Sequence, residues 1–152
     1  MRILQRLVSL LVFILGVLSK SVRGDENDEH VLSNGENIVQ FVVHNIEDYD
    51  VTVFAKSYCP YCQRTRHLLQ ELHKEFEGWT LKIIDIDTFD DPQDGPLIQS
   101  LLLDLTKQRT VPNIFIGGEH LGGNDDLQSM FHAGDLIPAL EELAGLSQSD
   151  EV

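Results

Sequence analysis

Cysteine is nearly absent from this chain: its 152 residues hold two, Cys59 and Cys62. That excludes a small scaffold stapled by disulfides and a self-contained four-cysteine zinc site. Basic side chains are scarce as well, 11 against 25 acidic, and four of them (Arg2, Arg6, Lys20, Arg23) fall in the first 24 residues, which hold no acid. The remainder carries seven basic and 25 acidic side chains, a net −18 within a chain total of −14. A body that acidic repels phosphate backbones and anionic headgroups, so nucleic acid is excluded as a partner. No internal repeat or low-complexity tract is present. With 42% hydrophobic and 24% charged residues, the composition is that of an ordinary globular domain.

Long apolar runs are limited to Leu7–Leu18 (LVSLLVFILGVL), short of the roughly 20 residues that a membrane span needs. Arg2 and Arg6 precede it and small residues follow at Ser19, Ser21 and Gly24. This order predicts a secretory signal peptide over residues 1–24, or an anchor if the segment is retained; only then does a membrane become a partner. The expected location is the lumen of the secretory pathway or the exterior. Residues 25–35 read as an acidic linker, residues 36–146 as the folded domain, and residues 147–152 as a polar tail.

Within the domain, Glu36–Asp48 has apolar groups at helical spacing (Ile38, Phe41, Val42, Ile46), and Val51–Ala55 reads as a buried strand. Gln63–Phe76 is a helix with Leu68, Leu69, Leu72 and Phe76 on one face, closed by Gly78. Thr80–Asp87 is a second strand, Phe89–Pro96 a loop and Leu97–Leu105 a helix. Val111–Ile116 and Glu119–Leu121 form a hairpin about Gly117-Gly118. Two helices close the chain, Asn124–Ala133 and Asp135–Ala144. Strands alternating with helices, then a hairpin, predict an α/β fold: a four-stranded mixed sheet with helices on both faces. Tyr58, Trp79 and the phenylalanines read as packing groups. The six histidines show no ligand spacing, and no metal is expected.

Both cysteines lie in Lys56-Ser57-Tyr58-Cys59-Pro60-Tyr61-Cys62, where the first strand gives way to a helix. Cys59 therefore falls at a helix N-terminus, where free N–H groups and the positive end of the dipole stabilise a thiolate. Lys56 adds a second positive influence, and Pro60 occupies the first helical position, whose N–H has no partner in any case. Cys62 lies about one turn further in, close enough to close a small disulfide ring with Cys59. It is expected to be buried, to keep a higher pKa and to suit the resolving role. Two further segments stand out. Pro112 opens a strand, as an edge or cis feature. Gly122-Gly123-Asn124-Asp125-Asp126 opens a helix whose N–H groups can take a carboxylate, and Asn124 or Asp125 is a candidate N-cap.

Cys59-Pro60-Tyr61-Cys62, then Gln108-Arg109-Thr110-Val111-Pro112-Asn113, then Gly122-Gly123-Asn124-Asp125-Asp126 together resemble a dithiol glutaredoxin over Glu36–Leu146. The resemblance implies a thioredoxin-like fold, a cis Pro112, glutathione as co-substrate and glutathionylated or disulfide-bonded proteins as partners of a monomeric enzyme. By position, the implied glutathione site comprises Lys56, Cys59, Tyr61, Gln99, Arg109, Thr110, Val111, Pro112, Gly123, Asp125 and Asp126. Lys56, Gln99 and Arg109 would take the glycine carboxylate, and the Val111 backbone the cysteinyl unit. The helix start at Asn124–Asp126 would take the γ-glutamyl carboxylate, with the Asp126 side chain on the ammonium. The chain departs from the pattern at Lys107, where relatives often have glycine, and in a long Phe89–Pro96 loop. Two rival readings are a glutathione-ligated iron–sulfur dimer, with which Pro60 generally disagrees, and a glutathione-independent thioredoxin-like or disulfide-isomerase-like enzyme, against which the Gly-Gly-Asn-Asp-Asp segment argues.

Overall fold

A computed structural model describes residues 31–146; the expected leader and polar tail lie outside the described residues. The elements follow in the expected order: α1 (Ile38–Asp48), β1 (Val51–Ala55), α2 (Pro60–Glu75), β2 (Leu81–Asp85), α3 (Asp94–Thr106), β3 (Asn113–Ile116), β4 (Glu119–Gly122), α4 (Asn124–Ala133) and α5 (Leu136–Leu143). The sheet runs β2-β1-β3-β4, with β1 parallel to β2 and antiparallel to β3, and β3 antiparallel to β4. A parallel neighbour requires a crossover, and α2 supplies it.

All five residues of β1 are buried, as a central strand covered on both faces must be. Its alternation sorts two cores. Val51, Val53 and Ala55 pack with Cys62, Leu69 and Leu72 of α2, Leu127 of α4, and Leu136 and Leu140 of α5. Phe54 packs on the opposite face with Ile38, Val42 and Ile46 of α1 and Ile98 and Leu102 of α3. The helix that starts the site is thus clamped to the central strand along its own apolar stripe.

Three local departures from the sequence reading have physical causes. The packed unit begins ahead of Glu36, because Leu32 is buried in the second core and the buried Asp94 carboxylate accepts both the N–H and the hydroxyl of Ser33, at 2.9 and 2.6 Å. Helix α3 starts at Asp94 instead of Leu97, since Pro96 falls in its first turn, where proline is tolerated. Tyr58 does not pack; it is 73% exposed beside Cys59.

Lys107 closes α3 with φ 63° in the left-handed region. A side chain there is strained by roughly 1 kcal/mol. Lys107→Gly is therefore expected to raise the unfolding midpoint by a few degrees, measurable by calorimetry. An unchanged or lower midpoint would count against this account of the helix end.

Candidate active site

The strand β1 stops at Ala55, and a turn closed by Cys59 N–H donating to the Lys56 carbonyl (3.2 Å) leads into α2. Cys59 has extended backbone (φ −80°, ψ 121°) and is the N-cap, with Pro60 at the first helical position as expected. Its sulfur does what a serine or aspartate oxygen does at other caps: Cys59 Sγ accepts the Cys62 N–H at 3.4 Å. The Cys59 carbonyl meanwhile accepts the Gln63 N–H and starts the helical ladder.

The two sulfurs differ in surroundings. Cys59 is half-buried, whereas Cys62 is 1% exposed and belongs to the first core. Burial, and next the contact with Cys59, push the Cys62 thiol from 9.0 up to about 12, against an opposing hydrogen bond from the Lys56 N–H. Helix geometry thus gives one half-buried cysteine whose sulfur accepts a helical N–H and a second, fully buried one held protonated a turn further in.

The second segment meets the first at Val111, whose carbonyl accepts from Cys59 Sγ at 3.8 Å. The Val111–Pro112 bond is cis. Two glutamines brace this loop. Gln99, reaching from α3, donates to the Arg109 carbonyl (2.8 Å), and Gln108 donates to the carbonyls of Thr110 (3.1 Å) and Pro112 (2.8 Å). The third segment lies against the second: a Cβ placed on Gly123 would sit 3.7 Å from both the Pro112 carbonyl and the Gln108 amide. The Asp126 carboxylate accepts the Gly123 N–H at 2.8 Å. Gly122, at φ 134°, allows this, since a Cβ there would fall 2.2 Å from Asp126 Oδ2.

Cys59, Gln99, Arg109, Thr110, Val111, Pro112, Gly123 and Asp126 are therefore joined by direct contacts or by one intervening side chain. Asp125 is exposed beside them on the first turn of α4. Tyr61 is 53% exposed and lies under the Arg64 guanidinium (5.5 Å to the ring centroid), not against the proline loop. Lys56, whose carbonyl accepts the Cys59 N–H, has its ammonium in the field of Asp87. Neither Asn124 nor Asp125 caps α4. Gly123 is the N-cap, and Asn124 turns inward, where its buried amide oxygen accepts the Thr65 hydroxyl at 3.2 Å. The sequence assigns Gln108 no role; its value as a loop brace depends on two carbonyls that the fold brings to it.

An accessible sulfur on a helix N-terminus, a buried second sulfur one turn in, and a proline loop facing both define a thiol–disulfide oxidoreductase of the thioredoxin-like fold. Comparison with known proteins narrows the class. A glutaredoxin family profile matches residues 51–121. Glutaredoxin-C2 of Arabidopsis thaliana is 43% identical over 102 residues, covering 67% of this chain and 85% of the relative. The crystal structure of a buckwheat glutaredoxin–glutathione complex superposes with a TM-score of 0.62 at 38% identity, over 72% of this chain and 91% of the other. Wheat glutaredoxin gives 0.61 at 39%, over 70% and 91%. The chain belongs to the glutaredoxin family and is a glutathione-dependent thiol–disulfide oxidoreductase.

The raised Cys62 value fixes a pH dependence. A thiol titrating at about 12 when folded and at 9.0 when unfolded binds more protons in the folded state between those limits. Its contribution to stability is complete below pH 9 and is lost as pH rises toward 12. Chemical unfolding in that window should show stability falling with pH in the reduced protein, and falling less in Cys62→Ser. At neutral pH, iodoacetamide should label Cys59 and leave Cys62 unmodified until the protein unfolds, as peptide mapping would show.

Proposed function

We propose that Cys59 is the nucleophile and that the main task of the site is glutathione transfer on single mixed disulfides. The observation carrying this reading is the asymmetry of the pair: Cys59 Sγ is accessible and accepts a helical N–H, while Cys62 is buried and held protonated. The Cys59 thiolate attacks the glutathionyl sulfur of a protein–glutathione disulfide. A Cys59–glutathione disulfide forms, and the protein thiolate leaves and takes a proton from water. A second glutathione thiolate then attacks the glutathionyl sulfur, releasing oxidised glutathione and the Cys59 thiolate. With protein disulfides, Cys62 resolves the intermediate and closes a Cys59–Cys62 disulfide, which two glutathiones reduce. A resolving thiol must first lose its proton, so the high Cys62 value slows this branch and favours the one-cysteine route.

The buckwheat complex supports a glutathione site at the same segments. Arg109, exposed and braced through its own carbonyl by Gln99, takes the glycine carboxylate together with Lys56. The Val111 backbone pairs with the cysteinyl unit. The first turn of α4 receives the γ-glutamyl carboxylate, and Asp126, already fixed on Gly123, offers its other oxygen to the ammonium.

The basic, apolar, small-residue order of residues 1–24 supports delivery to the secretory pathway. Glutaredoxin potentials of about −200 to −230 mV lie below the roughly −180 to −210 mV of the endoplasmic reticulum. A lumenal enzyme is then held toward its oxidised form, and adding glutathione to proteins becomes as accessible as removing it. Sequencing the mature N-terminus of the expressed protein tests the leader: a start near residue 25 supports cleavage, and an intact Met1 opposes it.

The role assignment predicts that Cys59→Ser abolishes turnover of a glutathionylated substrate, whereas Cys62→Ser retains most of it and loses reduction of protein disulfides. A steady-state assay coupled to reduction of oxidised glutathione reads both. The reverse pattern would overturn the assignment.

A further inference from the structure

Every polar group of Ser57, two residues before the nucleophile, is occupied by a partner from another element. The Asp87 carboxylate, just beyond β2, accepts the Ser57 N–H at 2.8 Å and the Ser57 hydroxyl at 2.5 Å. Gln63 Nε2, in the first turns of α2, donates to the Ser57 carbonyl at 2.6 Å. Asp87 is itself held in place. Ile86 N–H extends the β1–β2 ladder by donating to Ala55 (2.9 Å), and Thr88 closes a turn through its N–H and its hydroxyl, both on the Asp85 carbonyl. Ser57 is an exposed residue in a four-residue turn, and such turns ordinarily leave these groups to water. Here the turn between β1 and α2 is bound on both sides, to the strand that carries it and to the helix that follows.

Resting on the reading of Cys59 as nucleophile, we propose that Asp87 is a positioning residue for that sulfur, acting through Ser57 to fix the turn from which Cys59 approaches a mixed disulfide. In-line attack on a disulfide requires three sulfurs in a row, so a turn free to shift by an ångström loses rate at unchanged affinity. The carboxylate suits the task because a single group accepts two donors at once, which the one oxygen of an amide does less well. It is ionised when it does so: burial pushes the Asp87 carboxyl up, but the two Ser57 bonds and the nearby Lys56 ammonium outweigh it and leave it below the usual range.

Because Asp87 also lies in the field of Lys56, its removal alone would mix positioning with charge. Ser57→Ala removes one of the two bonds and no charge, and Ser57→Thr keeps the hydroxyl. The variants are made in the Cys62→Ser parent, and the reaction followed is glutathione transfer from a glutathionylated cysteinyl peptide to Cys59 in a single turnover. Transfer by the parent, set against a silent Cys59→Ser, tests the nucleophile separately from the positioning residue. Asp87→Ala is expected to lower the maximal transfer rate about tenfold and Ser57→Ala about threefold, with the half-saturating peptide concentration unchanged. The double variant should be no slower than Asp87→Ala, because the hydroxyl has lost its acceptor already. Ser57→Thr should restore the parent rate. The proposal is overturned if Asp87→Ala transfers at the parent rate, if the two losses multiply in the double variant, or if half-saturation moves while the maximal rate does not.

Discussion

The contact between the Cys62 N–H and Cys59 Sγ is the point on which the chemistry and the fold converge. A helix begins with N–H groups that lack partners inside it, and something must accept them. In most proteins that acceptor is an oxygen chosen for stability; here it is the sulfur we propose as the nucleophile. The same donor that completes α2 therefore holds the sulfur at the head of the helix. The arrangement depends on where the first turn of α2 is set, which is decided far from the sulfur. Leu69 and Leu72 seat the helix on Val51, Val53 and Ala55, and β1 is held by neighbours on both edges and cores on both faces.

The division of labour within the pair follows from helical geometry. A residue three positions after the cap points toward the sheet if the intervening ones point outward, and Pro60 and Tyr61 are both exposed. Cys62 thus joins the core as a small apolar group, which raises the cost of ionising it. Packing and reactivity are one constraint at this position. A larger residue would disturb the seat of α2 and, through it, the N–H that the neighbouring sulfur accepts.

Much of this was legible in the sequence because its causes are local. The run Val51–Ala55 is short, apolar and followed by a proline at a helix start, so strand, junction and cap can be read from adjacent residues. The expected element order held throughout, and the burial of Cys62 followed from counting along a helix. What was not legible depends on partners distant in the chain. Asn124 has the composition of a cap, yet Thr65 from α2 draws it inward, leaving Gly123 and Asp126 to cap the start of the helix. Ser33 reads as linker until Asp94, 61 residues later, accepts it. Asp87 reads as the polar end of a strand, and nothing in its neighbourhood of sequence signals a serine 30 residues earlier.

The charge distribution ties the body of the protein to its reaction. Arg66 is held by Asp85 and Lys74 by Glu71, so these cations are neutralised locally. Among the described residues, Arg64 and Arg109 form no ion pair; Arg64 lies over the Tyr61 ring in α2, and Arg109 is exposed on the loop that precedes Pro112. The Lys56 ammonium faces Asp87 only at longer range. A strongly negative body repels anions from most directions, so Lys56 and Arg109, on the segments that meet at Cys59, weigh more there. Glutathione carries two carboxylates and one ammonium, and in the site we propose Lys56 and Arg109 meet one carboxylate while the first turn of α4 and Asp126 meet the γ-glutamyl end. The acidic composition is thus the background against which, in the proposed site, one lysine and one arginine orient a small anion.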